Sequence, residues 1–365
     1  MKKIDKYIAS SVLWAFLIVS VVLLGLDFAL TFIEQIKKVN DNYTIQSLLQ
    51  VILYRLPGKL AEYIPIAALI GTLMGLGTLA ATSELTVMRA AGMPIWRIGL
   101  AACQPILLVS LMGMGISEFV APIAEQRANL IEKFKDQKSG AFSLTGGVWL
   151  KANNDFVYID AADSNGTLYG IKIFSPNKDK SAPQDQKQLK YTKSATTAQH
   201  IEGSTWQLNE VTETYFFPDR IETNSTASAE WNVSITPENL FLSSQETETL
   251  SLSQLLRYQT YLQKEELDAS QYELEYWITA LRPVASLALV LVALSSVFGP
   301  LRSSTMGGRI FTGVIIGLAF QNALNLFGRM SVAVGFPPLI GVSIPIIICL
   351  LAGIILVRRR GSFDV

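Results

Sequence analysis

Six stretches of this chain are apolar over about the 20 residues that a helix needs to cross a bilayer, and nothing else in the sequence constrains the fold as much. They are Val12–Ile33, interrupted once by Asp27; Ile64–Ala81, with Gly71, Gly75 and Gly77 inside it; Ile98–Val120; Ile278–Phe298; Ile310–Phe327; and Pro338–Val357. The first run is too long for the apolar core of a cleaved signal peptide, and no small-residue cleavage site follows it. Between the third and fourth runs, residues 121–277 hold 14 Lys and Arg against 22 Asp and Glu, while the rest of the chain holds 16 against 8. A formal charge of zero therefore conceals an acidic middle between basic, apolar ends. With 50% of residues hydrophobic and only 16% charged, a wholly soluble chain is excluded. A nucleic-acid binder that works by bulk positive charge is excluded too.

Six spans put both termini on one side. The short segments there would carry Lys2, Lys3, Lys6, Arg89, Arg97, Arg302, Arg309, Arg358, Arg359 and Arg360, against Lys37, Lys38, Arg55, Lys59 and Arg329 opposite. The excess places both termini in the cytoplasm and the acidic middle outside, which is the periplasm of a Gram-negative cell. That middle reads as β structure. Gly147–Lys151, Asp155–Asp160, Thr167–Ser175, Lys187–Gln199, Ser204–Val211 and Ala229–Ile235 are short runs rich in β-formers, punctuated by turn pairs such as Asn165-Gly166 and Glu202-Gly203. Such spacing predicts a sandwich, jelly roll or open barrel. Leu252–Glu266 is predicted helical. The expected fold is an α-helical membrane protein with six transmembrane helices and a periplasmic, jelly-roll-like β-domain between helices three and four. Its parts are 1–120 with a short cytoplasmic helix over 83–91, 121–277, and 278–365.

Catalytic chemistry finds little support. Cys103 and Cys349 lie in apolar runs, His200 has no ligand-spaced neighbour, and no GxxxxGK[ST] or GxSxG motif occurs. Gly71-xxx-Gly75 reads as close helix packing. In the loop Thr82–Arg97, Ser83 reads as an N-cap, Glu84 suits the first turn, and Gly92 followed by Pro94 stops the helix. Asp27 lies about 22 Å along its helix, where a carboxylate faces a cavity, a partner or the outer interface.

Several separate motifs carry a family resemblance. Gly75-Leu-Gly-Thr-Leu-Ala-Ala-Thr-Ser-Glu-Leu-Thr-Val-Met-Arg-Ala-Ala-Gly92 resembles the coupling segment of the LptF/LptG permeases, the membrane subunits of the ABC exporter of lipopolysaccharide. Asp5-Lys-Tyr-Ile8 is similar to the family's opening, Ile116–Pro122 to the end of its third helix, and Phe298–Arg309 to its loop between helices four and five. The Phe298–Arg309 wording is nearer the LptG branch than the LptF branch. The resemblance implies a permease with no cofactor of its own, ATP being used by an LptB dimer beneath it. It further implies LptF as the second permease subunit, a lateral gate involving helices one and five, and onward passage of lipopolysaccharide to LptC and LptA.

The same resemblance implies site roles. Lys37 and Lys38 match basic residues that face the phosphorylated glucosamine headgroup, and lysine suits phosphate as a hydrated point charge. The plainer reading is that Glu34 pairs with Lys38 on a solvated helix end. Arg55 and Lys59 match less cleanly. Asp27, Gln321, Asn322 and Asn325 are gate or cavity candidates, with interhelical hydrogen bonding as the ordinary role of the amides. Glu84, Val87, Met88 and Arg89 are the ATPase-coupling candidates. In the β-domain, Val148, Leu150, Phe156, Tyr158, Ile171 and Ile173 are taken as inward positions, with Phe156, Tyr158, Ile171 and Ile173 on the lipid path. Two other readings compete: a lipoprotein-releasing ABC permease, a family with usually four spans, and a membrane scaffold that transports nothing.

Overall fold

A computed structural model describes residues 3–40, 43–133, 143–153, 155–162, 167–177, 189–217, 219–243, 245–298 and 305–361. The Asn165-Gly166 turn, the first residues of the strand expected from Lys187, Lys2, Arg302 and half of the Phe298–Arg309 motif lie outside these residues. The chain divides into two compact units, one of residues 1–135, 251–256 and 270–365, the other of 136–250 and 257–269.

The first unit is helical. Its elements before the second unit are α1 (Lys3–Gln35), α2 (Ile45–Ala81), α3 (Glu84–Ala90), α4 (Ile95–Gly115) and α5 (Ala121–Lys133), and further helices follow the second unit. A single-turn helix, Ile36–Lys38, extends α1, and a five-residue π-turn, Ile116–Val120, joins α4 to α5. α2 has 37 residues, so it is about 55 Å long and exceeds the hydrocarbon thickness. Its start at Ile45 instead of Ile64, and the continuation of the third span through α5, depart from the sequence expectation. Both extensions are amphipathic and satisfy one another. Leu48, Val51 and Ile52 of α2 bury against Ala128 of α5, while Arg55 reaches the α5 carboxylates.

Helices α1 and α2 meet through small residues, as the sequence leads one to expect. A Cβ added at Gly71 would lie 2.6 Å from the Phe16 Cα, and one at Gly75 would lie 2.9 Å from the Val12 Cα. The Ser11 hydroxyl donates to the Gly75 carbonyl at 3.2 Å. Lipid tails give apolar helices no reason to associate, so this close backbone approach supplies the attraction through dispersion and hydrogen bonding.

The closing helices of this unit are α8 (Ser270–Ala280), α9 (Arg282–Val297), α10 (Met306–Val334) and α11 (Pro338–Gly361). The expected fourth span is broken. α8 and α9 are bent by 51° at Leu281, two residues before Pro283, so among the described residues five helices qualify as spans alone and six if the bent pair counts as one. α10 starts at a capped turn, where the Thr305 hydroxyl accepts from the Gly308 N–H at 3.3 Å, and ends at Gly335 in the left-handed conformation. The Arg309 side chain is buried and donates to the Gly77 carbonyl, joining α10 to the end of α2.

The second unit is a six-stranded antiparallel sheet, β1 (Ser143–Ala152), β2 (Asp155–Ala162), β3 (Thr167–Pro176), β4 (Leu189–Glu202), β5 (Thr205–Phe216) and β6 (Ile221–Asn232), with α6 (Pro237–Ser243) and the later part of α7 (Leu252–Lys264). Each strand pairs with its sequence neighbours in the order β1-β2-β3-β4-β5-β6. The described strands thus form a meander, where the expected jelly roll would need Greek-key crossovers. Short connections, such as the Glu202-Gly203 turn between β4 and β5, favour local pairing. Gly170 and Glu210 have positive φ, and at both positions the alternation of buried residues changes phase. The pairing register runs unbroken across both positions, so no residue is inserted there. The buried face holds Val157, Ile159, Leu168, Ile171, Trp206 and Leu208, with the Trp206 indole N–H donating to the Ile235 carbonyl at 2.8 Å.

Candidate coupling, gate and lipid-contact sites

α3 leaves α2 after only Thr82 and Ser83, and that tight reversal sets its geometry. Ser83 adopts φ +62° and its side chain caps nothing, contrary to the N-cap expectation. The left-handed conformation needed for the reversal turns its hydroxyl away from the helix N–H groups. Thr82 does the polar work instead, donating from Oγ1 to Glu84 Oε1 at 2.9 Å. The stop matches the sequence signal. Gly92 sits at φ +85°, its N–H donates to the Arg89 carbonyl at 2.9 Å, and the Met93 N–H donates to Met88 at 3.1 Å, a Schellman closure.

The four residues named for coupling divide. Glu84 is half-buried, and its carboxylate lies near enough to the Tyr7 hydroxyl of α1 to interact with it electrostatically. Val87 is exposed, Arg89 half-buried, and Met88 packs partly into the helical core. Leu85, overlooked in the sequence, is the anchor of α3 and is buried in that core. Nearby, Arg97 forms a two-pronged pair with Asp5, Nε to Oδ1 and Nη2 to Oδ2, both at 3.1 Å. The first turn of α1 is therefore fastened to α4, with Tyr7 close to Glu84 of α3.

At the other end of α1, Lys37 and Lys38 are exposed. Lys38 pairs with Glu132 of α5 at 3.5 Å, so the partner expected at Glu34 is replaced by one that sequence spacing could not reveal. Arg55 joins the same group, donating to Glu125 and Glu132 at 3.0 Å each and to Asn129 at 3.1 Å. Asp27 is half-buried and accepts a 2.6 Å hydrogen bond from the Tyr63 hydroxyl of α2. Its partner lies within the chain. On α10, Gln321 is half-buried, whereas Asn322 and Asn325 are exposed on the face of Phe311, Leu318 and Leu326. Asn322 donates to the Leu318 carbonyl of its own helix at 2.8 Å, not to another helix.

In the sheet unit the four lipid-path residues fall on two faces. Ile171 and Ile173 are 1% and 2% exposed and pair with Ile159 and Val157 across β2. Phe156 is 47% exposed and pairs with Phe174, while Tyr158 pairs with Lys172. Phe156 and Tyr158 thus face away from the core, which corrects their inward assignment; Leu150 is buried as expected. The outer aromatics cluster, with Trp149 ring centroids 5.1 Å from Tyr158 and 5.6 Å from Phe174. Further along, the Lys193 amine contacts Glu213 at 2.8 Å, and the Tyr215 hydroxyl donates to Glu213 at 2.9 Å. The bond from Lys193, ahead of that from Tyr215 and despite partial burial, holds the Glu213 carboxyl below the usual range. This contribution to sheet stability is present at neutral pH and is lost as pH falls through the lowered folded-state value.

Long apolar helices on both sides of an inserted antiparallel sheet define a polytopic membrane protein, in which one short helix lies beside the end of a long apolar helix. The family model described as lipopolysaccharide export system permease LptF/LptG matches residues 6–359. The chain is 32% identical over 345 residues to the lipopolysaccharide export system permease protein LptG of Escherichia coli K12, covering 94% of both chains. To the LptG protein of Haemophilus influenzae Rd it is 32% identical over 344 residues, again 94% of both. The chain belongs to the LptF/LptG permease family.

Proposed function

We infer that this permease subunit of lipopolysaccharide export, which belongs in the bacterial inner membrane, passes motion from a separate ATPase to a lipid gate along α1. The observation that carries this reading is the nearness of the Glu84 carboxylate of α3 to the Tyr7 hydroxyl of α1, close enough for the two to interact electrostatically. α1 has 33 residues and runs for about 50 Å to the turn bearing Lys37 and Lys38, so a push on α3 has a stiff path to that end. An LptB dimer is the proposed source of that push and the site of ATP use, with LptF as the facing permease. The positive-inside bias supports cytoplasmic termini and a periplasmic sheet unit. The α10 face supports a second subunit or a wet cavity, because the exposed amides of Asn322 and Asn325 are costly against hydrocarbon.

Lys37 and Lys38 are proposed to receive the phosphorylated glucosamine headgroup. Replacing both with glutamate is expected to leave assembly intact while lowering lipid-stimulated ATP hydrolysis and export; replacement with arginine is expected to be milder. Normal export by the double glutamate variant would make these lysines a solvated helix end and move headgroup recognition to LptF.

The sheet unit is proposed to carry acyl chains toward LptC and LptA along its inner face. β1 and β6 end the sheet among the described strands, and an open edge suits continuation by a strand of the next protein. Because Ile171 is buried within a filled core, lipid entry there requires the sheet to part. A photo-crosslinker at Ile171 is expected to capture lipopolysaccharide only during ATP turnover, and one at Phe156 is expected to capture none. Capture at Phe156 alone would put the path on the outer aromatic face; capture at neither would leave the unit a spacer.

A further inference from the structure

The ion-pair group at the outer end of α1 has one strong arm and one weak arm. Arg55 keeps Glu125 at 3.0 Å and Asn129 at 3.1 Å even without Glu132. Lys38 meets Glu132 at 3.5 Å, with side chains 47% and 27% exposed, and this is its ion pair among the described residues. Glu132 turns its second oxygen to Arg55 at 3.0 Å, so one carboxylate bridges two cations carried by different elements. A phosphate monoester presents the same oxygens with up to twice the charge. A long, solvated lysine–carboxylate contact is readily exchanged, whereas the shorter arginine arm holds α2 and α5 together.

We propose that Glu132 competes with the headgroup phosphate for Lys38, a built-in carboxylate that a phosphorylated lipid must displace. The proposal rests on the assignment of Lys38 to the headgroup given above. Its consequence is selectivity. A lipid without phosphate lacks the charge to replace Glu132, so the lysine stays occupied and the lipid gains nothing from it. A phosphorylated lipid takes the lysine and leaves Glu132 to Arg55, which keeps α5 in place.

The test uses the complete transporter, this permease with its partner permease and ATPase, in detergent. Binding is measured for a bis-phosphorylated glucosamine disaccharide lipid and for the same lipid with both phosphates removed. Glu132→Gln is expected to tighten binding of the phosphorylated lipid by about three- to tenfold, the range that one or two weak ion pairs cover, and to leave the other lipid unchanged. Glu132→Asp withdraws the carboxylate by one methylene and is expected to act in the same direction, more weakly; it decides the matter if Glu132→Gln does not assemble. Adding Lys38→Gln is expected to cancel the gain. No gain, or an equal gain for both lipids, overturns the competition and leaves Glu132 a packing anchor. If Lys38→Gln alone leaves the preference for phosphate unaltered, the headgroup assignment itself fails. If Lys38→Gln lowers that preference while neither Glu132 variant raises it, only the competition fails.

Discussion

Gly71→Leu is expected to remove most of the assembled protein from the membrane. A side chain there starts 2.6 Å from the Phe16 Cα, and the obstacle is backbone, which cannot rotate aside. Relief requires α1 to move off α2, taking Val12 away from Gly75 and breaking the Ser11 hydrogen bond to the Gly75 carbonyl. Overpacking a core costs about 1–3 kcal/mol when side chains can repack, and a backbone clash between two spans belongs at or above the top of that range. Set against a total stability of about 5–15 kcal/mol, that loss is large. Gly25 on α1 gives the control, since a Cβ there meets nothing within 4 Å. Gly25→Leu should accumulate as the parent does. The measurement is the amount of protein in the membrane fraction, with the thermal midpoint in detergent. Parental values for Gly71→Leu would mean that α1 and α2 are not in close contact.

Glu84→Lys is expected to have the largest effect on function at unchanged abundance. The substitution puts a cation where the carboxylate near the Tyr7 hydroxyl stands, and it removes the group proposed to meet a basic residue on the ATPase. An exposed pair is worth about 0–1 kcal/mol, but removing one partner of an interfacial charge pair costs about 2–5 kcal/mol or more. The expected result is therefore a fall of at least about tenfold in ATPase association, or in lipid released per ATP hydrolysed. Tyr7→Phe separates the two contacts. It keeps the carboxylate for the ATPase and loses only the link to α1, so association should hold while release falls. Full activity of Glu84→Lys in association, hydrolysis and release would move coupling to the 298–309 loop.

Much of this was legible in the chain, and the failures have specific causes. Long apolar runs declared α1, α10 and α11, and Gly71-xxx-Gly75 declared a tight helix contact, because in a bilayer both signals come from one segment and its solvent. The extensions of α2 and α5 beyond the expected spans were hidden because Arg55, Glu125 and Glu132 look like loop charges until they are seen to neutralise one another across two helices. Phe156-Val-Tyr-Ile159 is apolar at every position, so alternation could not choose the buried phase. Pairing of Val157 with Ile173 and of Ile159 with Ile171 chose it. The first residues of β6 were missed because 221–228 are exposed throughout and carry little apolar signal. Ser83 misled for another reason: its residue type favours capping, but the two-residue reversal after α2 fixed its backbone first. Glu84, Lys38 and Asp27 could be singled out as individual residues, while their neighbours Tyr7, Glu132 and Tyr63 lay 77, 94 and 36 positions away and required the fold.

The central claim is that motion delivered at Glu84 drives lipopolysaccharide out of the membrane through this subunit. Its most direct measurement places the purified transporter in proteoliposomes loaded with lipopolysaccharide and a lipoprotein, with a soluble acceptor outside, and follows both cargoes after ATP is added. Lipopolysaccharide should leave in an ATP-dependent manner while the lipoprotein stays, and Glu84→Lys should hydrolyse ATP without releasing lipid or fail to bind the ATPase. Release of the lipoprotein instead, or equal lipopolysaccharide release by the parent and Glu84→Lys, would contradict the account.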